Sequence, residues 1–307
     1  MSPLTAVRLK GLTAAVIWGA SFVATKAALS EIHPVTLIVL RFALGLGVLI
    51  LAVWQARTFR RITRRDLFLL AVLGTLAIAV HQGLQATGLL FTSASNMAWL
   101  VAMQPVFTAI LAWLFLAEVF GIVKIAGLVI AFAGAILVVT KGVFSPDALR
   151  LPGTLGDLLA LASALNWTIF SVASKPMLRR LPPSLMMAYV MGIGWLIVLP
   201  FFVAAQGWHD LSRLTPTGWG AVAFLGIFCS GIAYIFWYDA LAHIDASQVA
   251  AFIYLEPFVT VVVAAIVLHE AFTPISIIGG VLILLGVALV NRAPTTRQVA
   301  GAPGASD

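Results

Sequence analysis

The 307-residue chain has little charge and almost no cysteine. Asp, Glu, Lys and Arg make up 9% of its residues, against about 25% in soluble domains, and 62% are hydrophobic. The mean hydropathy is +1.09. This composition excludes a soluble globule and indicates a polytopic membrane protein. The single cysteine, Cys229, excludes an intrachain disulfide and a cysteine metal cluster.

The chain also lacks the motifs of several function classes. It has no Walker motif and no glycine-rich phosphate loop, so ATP does not drive it directly. It has no Gly-x-Ser-x-Gly nucleophile and no His-x-x-x-His helix, and its five histidines are scattered. We therefore expect no enzymatic activity, no metal and no cofactor. No loop is long enough for a soluble interaction domain.

Long apolar runs account for most of the sequence. A membrane-spanning helix needs about 20 mostly apolar residues. The runs predict an all-α protein with ten transmembrane helices, at 9–29, 35–54, 66–87, 93–116, 120–140, 154–175, 184–204, 217–239, 246–268 and 273–291.

The chain contains an internal duplication. Residues 66–139 match residues 218–291 at a fixed offset of 152, and Trp18 and Lys26 match Trp167 and Lys175 at an offset of 149. Chance could match apolar residues, but it does not readily match Pro, Glu, Gly and Trp at a constant offset. Each half has an odd number of helices, so the second half is predicted to be inverted in the membrane. The predicted units are a first five-helix repeat (1–141), a linker (142–153), a second, inverted five-helix repeat (154–291) and a flexible cytoplasmic tail (292–307).

The basic residues indicate the topology. The net charge is +7, but the basic residues are distributed among short loops, which argues against nucleic-acid binding. Most lie on one side if the N-terminus is cytoplasmic, so both termini are predicted to be cytoplasmic. Glu118 then lies at a cytoplasmic helix end and Glu270 at an outer one. The remaining basic residues are expected at outer helix ends: Lys26, Arg41, Lys141, Arg150 and Arg213.

Four stretches carry a family resemblance. They are AAVIWGASFVATKAAL (14–29), LRF (40–42), MQPVFTAILAWLFLAE (103–118) and its counterpart LEPFVTVVVAAIVLHE (255–270). With these, the chain resembles the EamA-type exporters of the drug/metabolite transporter superfamily. The resemblance implies ten helices in two inverted repeats, an inner-membrane location and export by alternating access. The aromatic and histidine-containing middle is similar to the branch that exports aromatic and other neutral amino acids.

Polar and aromatic residues at membrane depth are candidates for a substrate cavity. His81, Gln82 and Gln85 share one face of the third helix, and Gln82 and Gln85 match Tyr234 and Trp237 of the eighth at the 152 offset. Such a ring of amides and aromatics suits a neutral substrate with an aromatic or apolar side chain. The alternatives are an interfacial aromatic belt and, for His81, a hydrogen bond to a neighbouring helix. The substrate-binding candidates are Trp18, His81, Gln82, Gln85, Trp99, Met103, Trp167, Tyr234, Trp237, Tyr238 and Glu256.

Glu256 is the most suggestive carboxylate. It lies near the middle of the ninth span, directly before Pro257, where the first half has neutral Gln104. An isolated ionised glutamate there is costly, so it must be paired, protonated or in contact with water. It could bind a substrate ammonium group, carry a coupling proton, or make a static hydrogen bond to backbone.

Two further sets repeat in both halves. The helix-end carboxylates Glu118 and Glu270 are expected to cap the next helix or to pair with a neighbouring charge. Lys26 and Lys175 also end helices and can extend to the membrane surface, and a role in closing each gate is the alternative. The glycines Gly127, Gly134, Gly279 and Gly286 allow close helix approach, within one chain or between chains of a homodimer.

The leading hypothesis is a secondary or facilitative transporter. A channel would show a recurring polar ring, whereas the predicted cavity is mostly aromatic. Within the superfamily, a carrier of sugar phosphates would need Lys or Arg facing the cavity, and the predicted faces contain neither.

Overall fold

The structure, a computed structural model, describes residues 3–116, 118–119, 121–143, 153–243, 252–271, 273–292 and 296–297. Helices account for nearly all of them, which confirms the predicted all-α membrane architecture. Besides the helices, Glu118–Val119 pairs antiparallel with Thr296–Arg297. Most of the predicted linker and tail lies outside the described residues.

The first half forms five helical segments. In the third, a π-helical stretch joins two α-helical parts, and the fourth is interrupted after its first two turns. Their bounds are α1 (Pro3–Leu29), α2 (Pro34–Gln55), α3 (Arg64–Gly74, π-helical Thr75–Val80 and His81–Phe91), α4 (Ala94–Val101 and Gln104–Leu116) and α5 (Ile122–Thr140).

The second half repeats this order. Its bounds are α6 (Thr154–Leu178), α7 (Pro183–Ala204), α8 (Pro216–Ala223, π-helical Phe224–Ile232 and Ala233–His243), α9 (Glu256–Val267, after the 3-10 turn Ile253–Leu255) and α10 (Pro274–Arg292). Eight of the described helices are long and apolar enough to cross a membrane, and those at α9 and α10 are shorter. The ten-helix count therefore stays a prediction.

The equivalent helices α5 and α10 of the two halves run antiparallel to each other. In the α5–α10 pair, Gly127 lies against the backbone of Gly286, and Gly134 lies against the backbone of Gly279. Residue numbers therefore increase along α5 in the direction in which they decrease along α10, so these two helices are antiparallel. Contacts between the halves also follow the repeat, since α1 packs on α8 and α9 as α6 packs on α3 and α4. Inverted repeats require this arrangement.

We call the end of the bundle where α1 begins the proximal end, and the opposite end the distal end. At the distal end, carboxylates cap helices that are remote in sequence. Glu31 accepts hydrogen bonds from the backbone N–H of Thr215, at 2.7 Å, and from its hydroxyl, at the start of α8. Asp210 accepts from the N–H of His33 (3.1 Å) at the start of α2. Glu270 accepts from the N–H of Ala94 (2.9 Å) at the start of α4. These three carboxylate caps fasten the distal connections to the bundle.

The environment of Asp210 favours its charged form. Burial acts to raise the pKa of this carboxyl group, but the hydroxyl of Thr36 (2.7 Å), the backbone N–H of His33 and the charge of Arg213 outweigh it. The pKa of Asp210 is therefore lowered below its ordinary value.

Candidate functional site

A cavity of about 740 Å³ lies between the two halves of the bundle. Pockets for small-molecule ligands measure about 300–1,000 Å³, so this volume suits a metabolite. The wall reaches the proximal end, where Lys124, Lys175 and Leu178 line it. Towards the distal end, the α1 part of the wall stops at Phe22, one turn before Lys26. The cavity therefore opens at the proximal end.

Most predicted substrate-binding residues line this cavity. They are Trp18, His81, Gln82, Gln85, Trp167, Tyr234, Trp237, Tyr238 and Glu256. Both halves contribute, as the repeat-based reasoning expects. Their contact with a substrate stays a prediction.

Trp99 and Met103 do not line the cavity. The ring of Trp99 packs edge-on against Phe258, with centroids 5.7 Å apart, and occupies the space that a side chain at Gly280 would need. Met103 is completely buried in the core. The helix of α4 is interrupted between Val101 and Gln104, so Trp99 and Met103 do not lie on one continuous helix. The structure therefore places Met103 in helix packing, and it places Trp99 beside a second, smaller cavity of about 360 Å³.

Trp18 is the centre of one aromatic wall. Its ring lies edge-on to Tyr234 at 5.3 Å and tilted against Trp237 at 5.2 Å. Its indole N–H donates to the backbone carbonyl of Cys229, at 3.0 Å. That carbonyl belongs to the π-helical part of α8. The contacts hold the indole in one orientation beside the cavity.

Trp167 occupies the equivalent position in the second half. Its ring lies 4.9 Å from that of His81 and 5.0 Å from that of Phe170. The Nδ1 of His81 lies 3.1 Å from the carbonyl oxygen of Ser163, which can only accept. The Nδ1–H of His81 therefore donates to α6, which is the hydrogen bond to a neighbouring helix that was one alternative. His81 also lines the cavity, so the two alternatives do not exclude each other.

The two π-helical stretches are a feature that the sequence did not reveal. At the repeat offset of 152 residues, Thr75–Val80 of α3 corresponds to residues that lie within the π-helical stretch Phe224–Ile232 of α8. In α3, the carbonyl of Leu76 accepts from the side chain of Asn166, at 2.8 Å, as that of Cys229 accepts from Trp18. Such bulges are frequent at functional sites. Here each one immediately precedes the cavity residues of its helix.

Arg41 corrects the sequence interpretation. It was expected at an outer helix end, but it lies two turns inside α2, is 7% exposed and lines the cavity. Its Nε donates to the hydroxyl of Ser230 (2.8 Å), and its Nη1 donates to the amide oxygen of Gln82 (3.3 Å). With Lys124 and Lys175 also on the wall, the expectation of a cavity without Lys or Arg was wrong. The sequence did contain a signal for this position, because Arg41 lies two helical turns after Pro34, where α2 begins.

α4 and α9 both begin a helical segment at the cavity. The segments start at Gln104 and Glu256, each followed by proline, and both residues line the cavity. The backbone carbonyl of Gln104 accepts from Thr168 of α6, at 3.2 Å. In the other half, Thr260 donates to the carbonyl of Gly19 of α1, at 2.6 Å. Helix N-termini carry positive dipole ends, so both segments favour negative charge at this depth.

In the described part of the chain, the Glu256 carboxylate makes no hydrogen bond to a side chain or to the backbone, and it forms no ion pair. The hydroxyl of Thr260 donates to its backbone carbonyl, not to its side chain. The static hydrogen bond foreseen as one alternative is therefore absent from the described contacts.

A polar cluster closes the distal end. The Lys26 ammonium lies 3.7 Å from the Glu270 carboxylate and donates to the backbone carbonyl of Thr92. The Thr92 hydroxyl donates to Asp157, which is completely buried. Lys175, the repeat equivalent of Lys26, lines the open mouth and has no ion pair with the described residues. The side chain of Glu118 lies outside the described residues. The lysine at the closed end is thus paired with a carboxylate, whereas Lys175 at the open end has no such pair among the described residues.

No metal centre is present among the described residues, since no three His, Cys, Asp or Glu side chains come together. The cavity can hold an organic molecule by stacking, by amide and guanidinium donors, and by one carboxylate.

Comparison with known proteins shows which protein family this chain resembles. The model of the EamA-like transporter family matches the chain twice, over residues 7–140 and 154–292. An "Uncharacterized transporter" of Archaeoglobus fulgidus is 29% identical over 275 residues, which cover 90% of this chain and 93% of the relative. A "Probable terminal-alkyne amino-acid exporter" of Streptantibioticus cattleyicolor is 30% identical, with 80% of each chain covered.

A solved structure supports the fold. A chain titled "Crystal structure of protein" superposes with a TM-score of 0.64 at 21% identity, covering 93% of this chain and 98% of its own. The family match and the names of the relatives confirm the predicted resemblance, and with it a multi-pass transporter in place of an enzyme. The chain belongs to the EamA-like transporter family.

Proposed function

We propose that the protein exports aromatic or other large neutral amino acids from the cytoplasm by alternating access. The observation that carries this proposal is the cavity of about 740 Å³, whose wall contains Trp18, Trp167, Tyr234, Trp237 and Tyr238. These rings offer stacking surface to an aromatic or apolar side chain. Gln82, Gln85 and His81 add hydrogen-bonding groups.

Two further observations support the proposal. The relative from Streptantibioticus cattleyicolor is named a "Probable terminal-alkyne amino-acid exporter", which favours an amino acid as the substrate class here. If both termini are cytoplasmic, as the basic residues predict, the cavity opens to the cytoplasm. That state loads substrate for export across the inner membrane. Transport is facilitative or coupled to protons.

The test is a flux screen with purified protein in liposomes. Each of the twenty amino acids is measured, and we expect aromatic ones to move fastest. Trp167→Ala and Tyr234→Ala should weaken transport about three- to tenfold, the value of an aromatic contact. Trp54→Ala is the matched control, because Trp54 is 72% exposed on the bundle surface. The proposal would be refuted if vesicles with and without the protein showed the same flux for every amino acid.

A carrier of phosphate-bearing metabolites is the second candidate. It is favoured by the three basic residues on the wall, Arg41, Lys124 and Lys175. The same vesicles decide between the two: flux of sugar phosphates without flux of amino acids would establish this alternative.

A further inference from the structure

The cavity contains a guanidinium and a carboxylate that no described side chain neutralises. We propose that these are the two poles of a zwitterion site. Arg41, with Gln82, binds the α-carboxylate of the amino acid, and Glu256 binds its α-ammonium group. This inference rests on the proposed function and deepens it.

Arg41 is held ready to bind an anion. Its Nε and Nη1 are occupied by Ser230 and Gln82, and no described contact uses Nη2. Arg41 forms no ion pair with the described residues, although it is only 7% exposed. A buried, unpaired guanidinium is costly, and a carboxylate in the cavity would neutralise it through charge-assisted hydrogen bonds.

Gln82 extends this donor surface. Its amide oxygen accepts from Arg41 Nη1, so its amide nitrogen remains to donate. No described contact uses that nitrogen, and Gln82 lines the cavity. Arg41 Nη2 and the Gln82 amide thus supply neighbouring donors for the two oxygens of one carboxylate.

Glu256 supplies the opposite pole. It lines the same cavity from α9, and its side chain has no described partner. Arg41, Glu256 and Tyr234 all line this one cavity. Arg41 and Glu256 do not form an ion pair with each other within 4.0 Å. The two charges therefore line the same cavity without neutralising each other, as binding of a dipolar headgroup requires.

The aromatic wall takes the remainder of the substrate. Trp18, Tyr234 and Trp237 form one packed group beside these charges. An amino acid can place its headgroup between Arg41 and Glu256 and its side chain against these rings. The site would then reject analogues that lack either charge, because a buried group of the protein would be left unpaired.

Competition in proteoliposomes tests this arrangement on the wild-type protein. The probe is labelled phenylalanine, or whichever aromatic amino acid the flux screen shows to be carried. Its amide lacks the carboxylate, and its deaminated acid lacks the ammonium group. We expect each analogue to compete at least about 30-fold more weakly, the cost of leaving a buried charge unpaired. Equal competition by all three compounds would overturn the zwitterion site.

Variants assign the two poles. In Arg41→Gln, the amide should compete as well as the parent amino acid, while the deaminated acid stays weak. In Glu256→Gln, the deaminated acid should compete as well as the parent. Arg213→Gln, in the distal connection before α8, is the charge-matched control and should keep both penalties. Penalties that persist unchanged in both cavity variants would also overturn the assignment.

The two proposals fail differently. An absence of amino-acid flux in the wild type refutes the proposed function. Normal flux without discrimination between the analogues refutes the zwitterion site alone. The wild-type comparison also requires no variant to fold.

Discussion

Replacing Glu270 with alanine should shift the protein towards a state that is open at the distal end. The Glu270 carboxylate accepts from the N–H groups of Ala94 (2.9 Å) and Ser95 (3.3 Å), and from the hydroxyl of Ser95 (3.0 Å). It also lies 3.7 Å from the ammonium of Lys26. These contacts join the connection between α9 and α10 to α4 and α1, across the closed end of the cavity.

The contacts can be given an approximate free energy. Loss of a helix N-cap costs about 1 kcal/mol, and a carboxylate at a helix N-terminus gains about 0.5 kcal/mol from the helix dipole. The partly exposed ion pair adds about 0.5 kcal/mol. The sum of about 2 kcal/mol corresponds to a roughly 30-fold shift in a two-state equilibrium, provided that the contacts break when the distal end opens.

Thiol accessibility measures this shift. Ser21 lines the cavity, so Ser21→Cys in a Cys229→Ala background reports whether the cavity can be reached. A membrane-impermeant maleimide is added on the distal side. We expect Glu270→Ala to raise the labelling rate about 30-fold, and Lys26→Met to raise it less.

Glu31→Ala is the control. It removes another carboxylate cap at the same end, but Glu31 joins α1 to α8, which already pack along their lengths. An unchanged or slower labelling rate in Glu270→Ala would refute the argument that this carboxylate holds the distal end closed.

Two further predictions concern stability. Gly134→Ala should lower the free energy of unfolding by about 1–3 kcal/mol, because its methyl group would lie 2.5 Å from the Gly279 carbonyl. In Gly47→Ala the methyl group meets nothing within 4 Å, so thermal unfolding in detergent should show little change, and equal losses would contradict the packing role. Asp210→Asn should destabilise the protein at neutral pH, because the pKa of Asp210 is lowered on folding. A lowered pKa gives stability above the unfolded pKa of about 3.9 that is lost as the pH falls through the folded pKa. The difference in Tm between wild type and Asp210→Asn should therefore stay constant from about pH 7 to 5 and shrink below about pH 4; a difference that grows on acidification would refute this sign.

The apolar runs and the repeat predicted most of the fold. The second span, predicted at 35–54, is observed as Pro34–Gln55, because Pro34 and the loop after Gln55 mark its ends in the sequence. The first helix begins at Pro3 instead of residue 9, since its first turns carry Arg8 and Lys10 and do not look apolar. Trp18 and Trp167, which match in the sequence repeat, both line the cavity.

Residues whose role depends on distant partners were harder to predict. Arg41 was assigned to an outer helix end by counting the basic residues on each side of the membrane. That count does not show how deep in the bundle a residue lies, and Arg41 lies inside α2. Trp99 and Met103 are of the expected residue types, but α4 is interrupted between Val101 and Gln104 and neither side chain lines the cavity. Glu270 was expected to cap the next helix or to pair with a nearby charge. It pairs with Lys26 and caps α4, a partner that only the tertiary arrangement provides.

The three carboxylate caps have a practical consequence for reagents. Each fastens one distal connection to a helix elsewhere in the chain, so the distal surface offers structured epitopes in this state. We expect an antibody fragment selected against one of these epitopes to favour this state, in which the cavity is open at the proximal end. It would also give a small, nearly featureless membrane protein the added mass that cryo-electron microscopy requires for particle alignment.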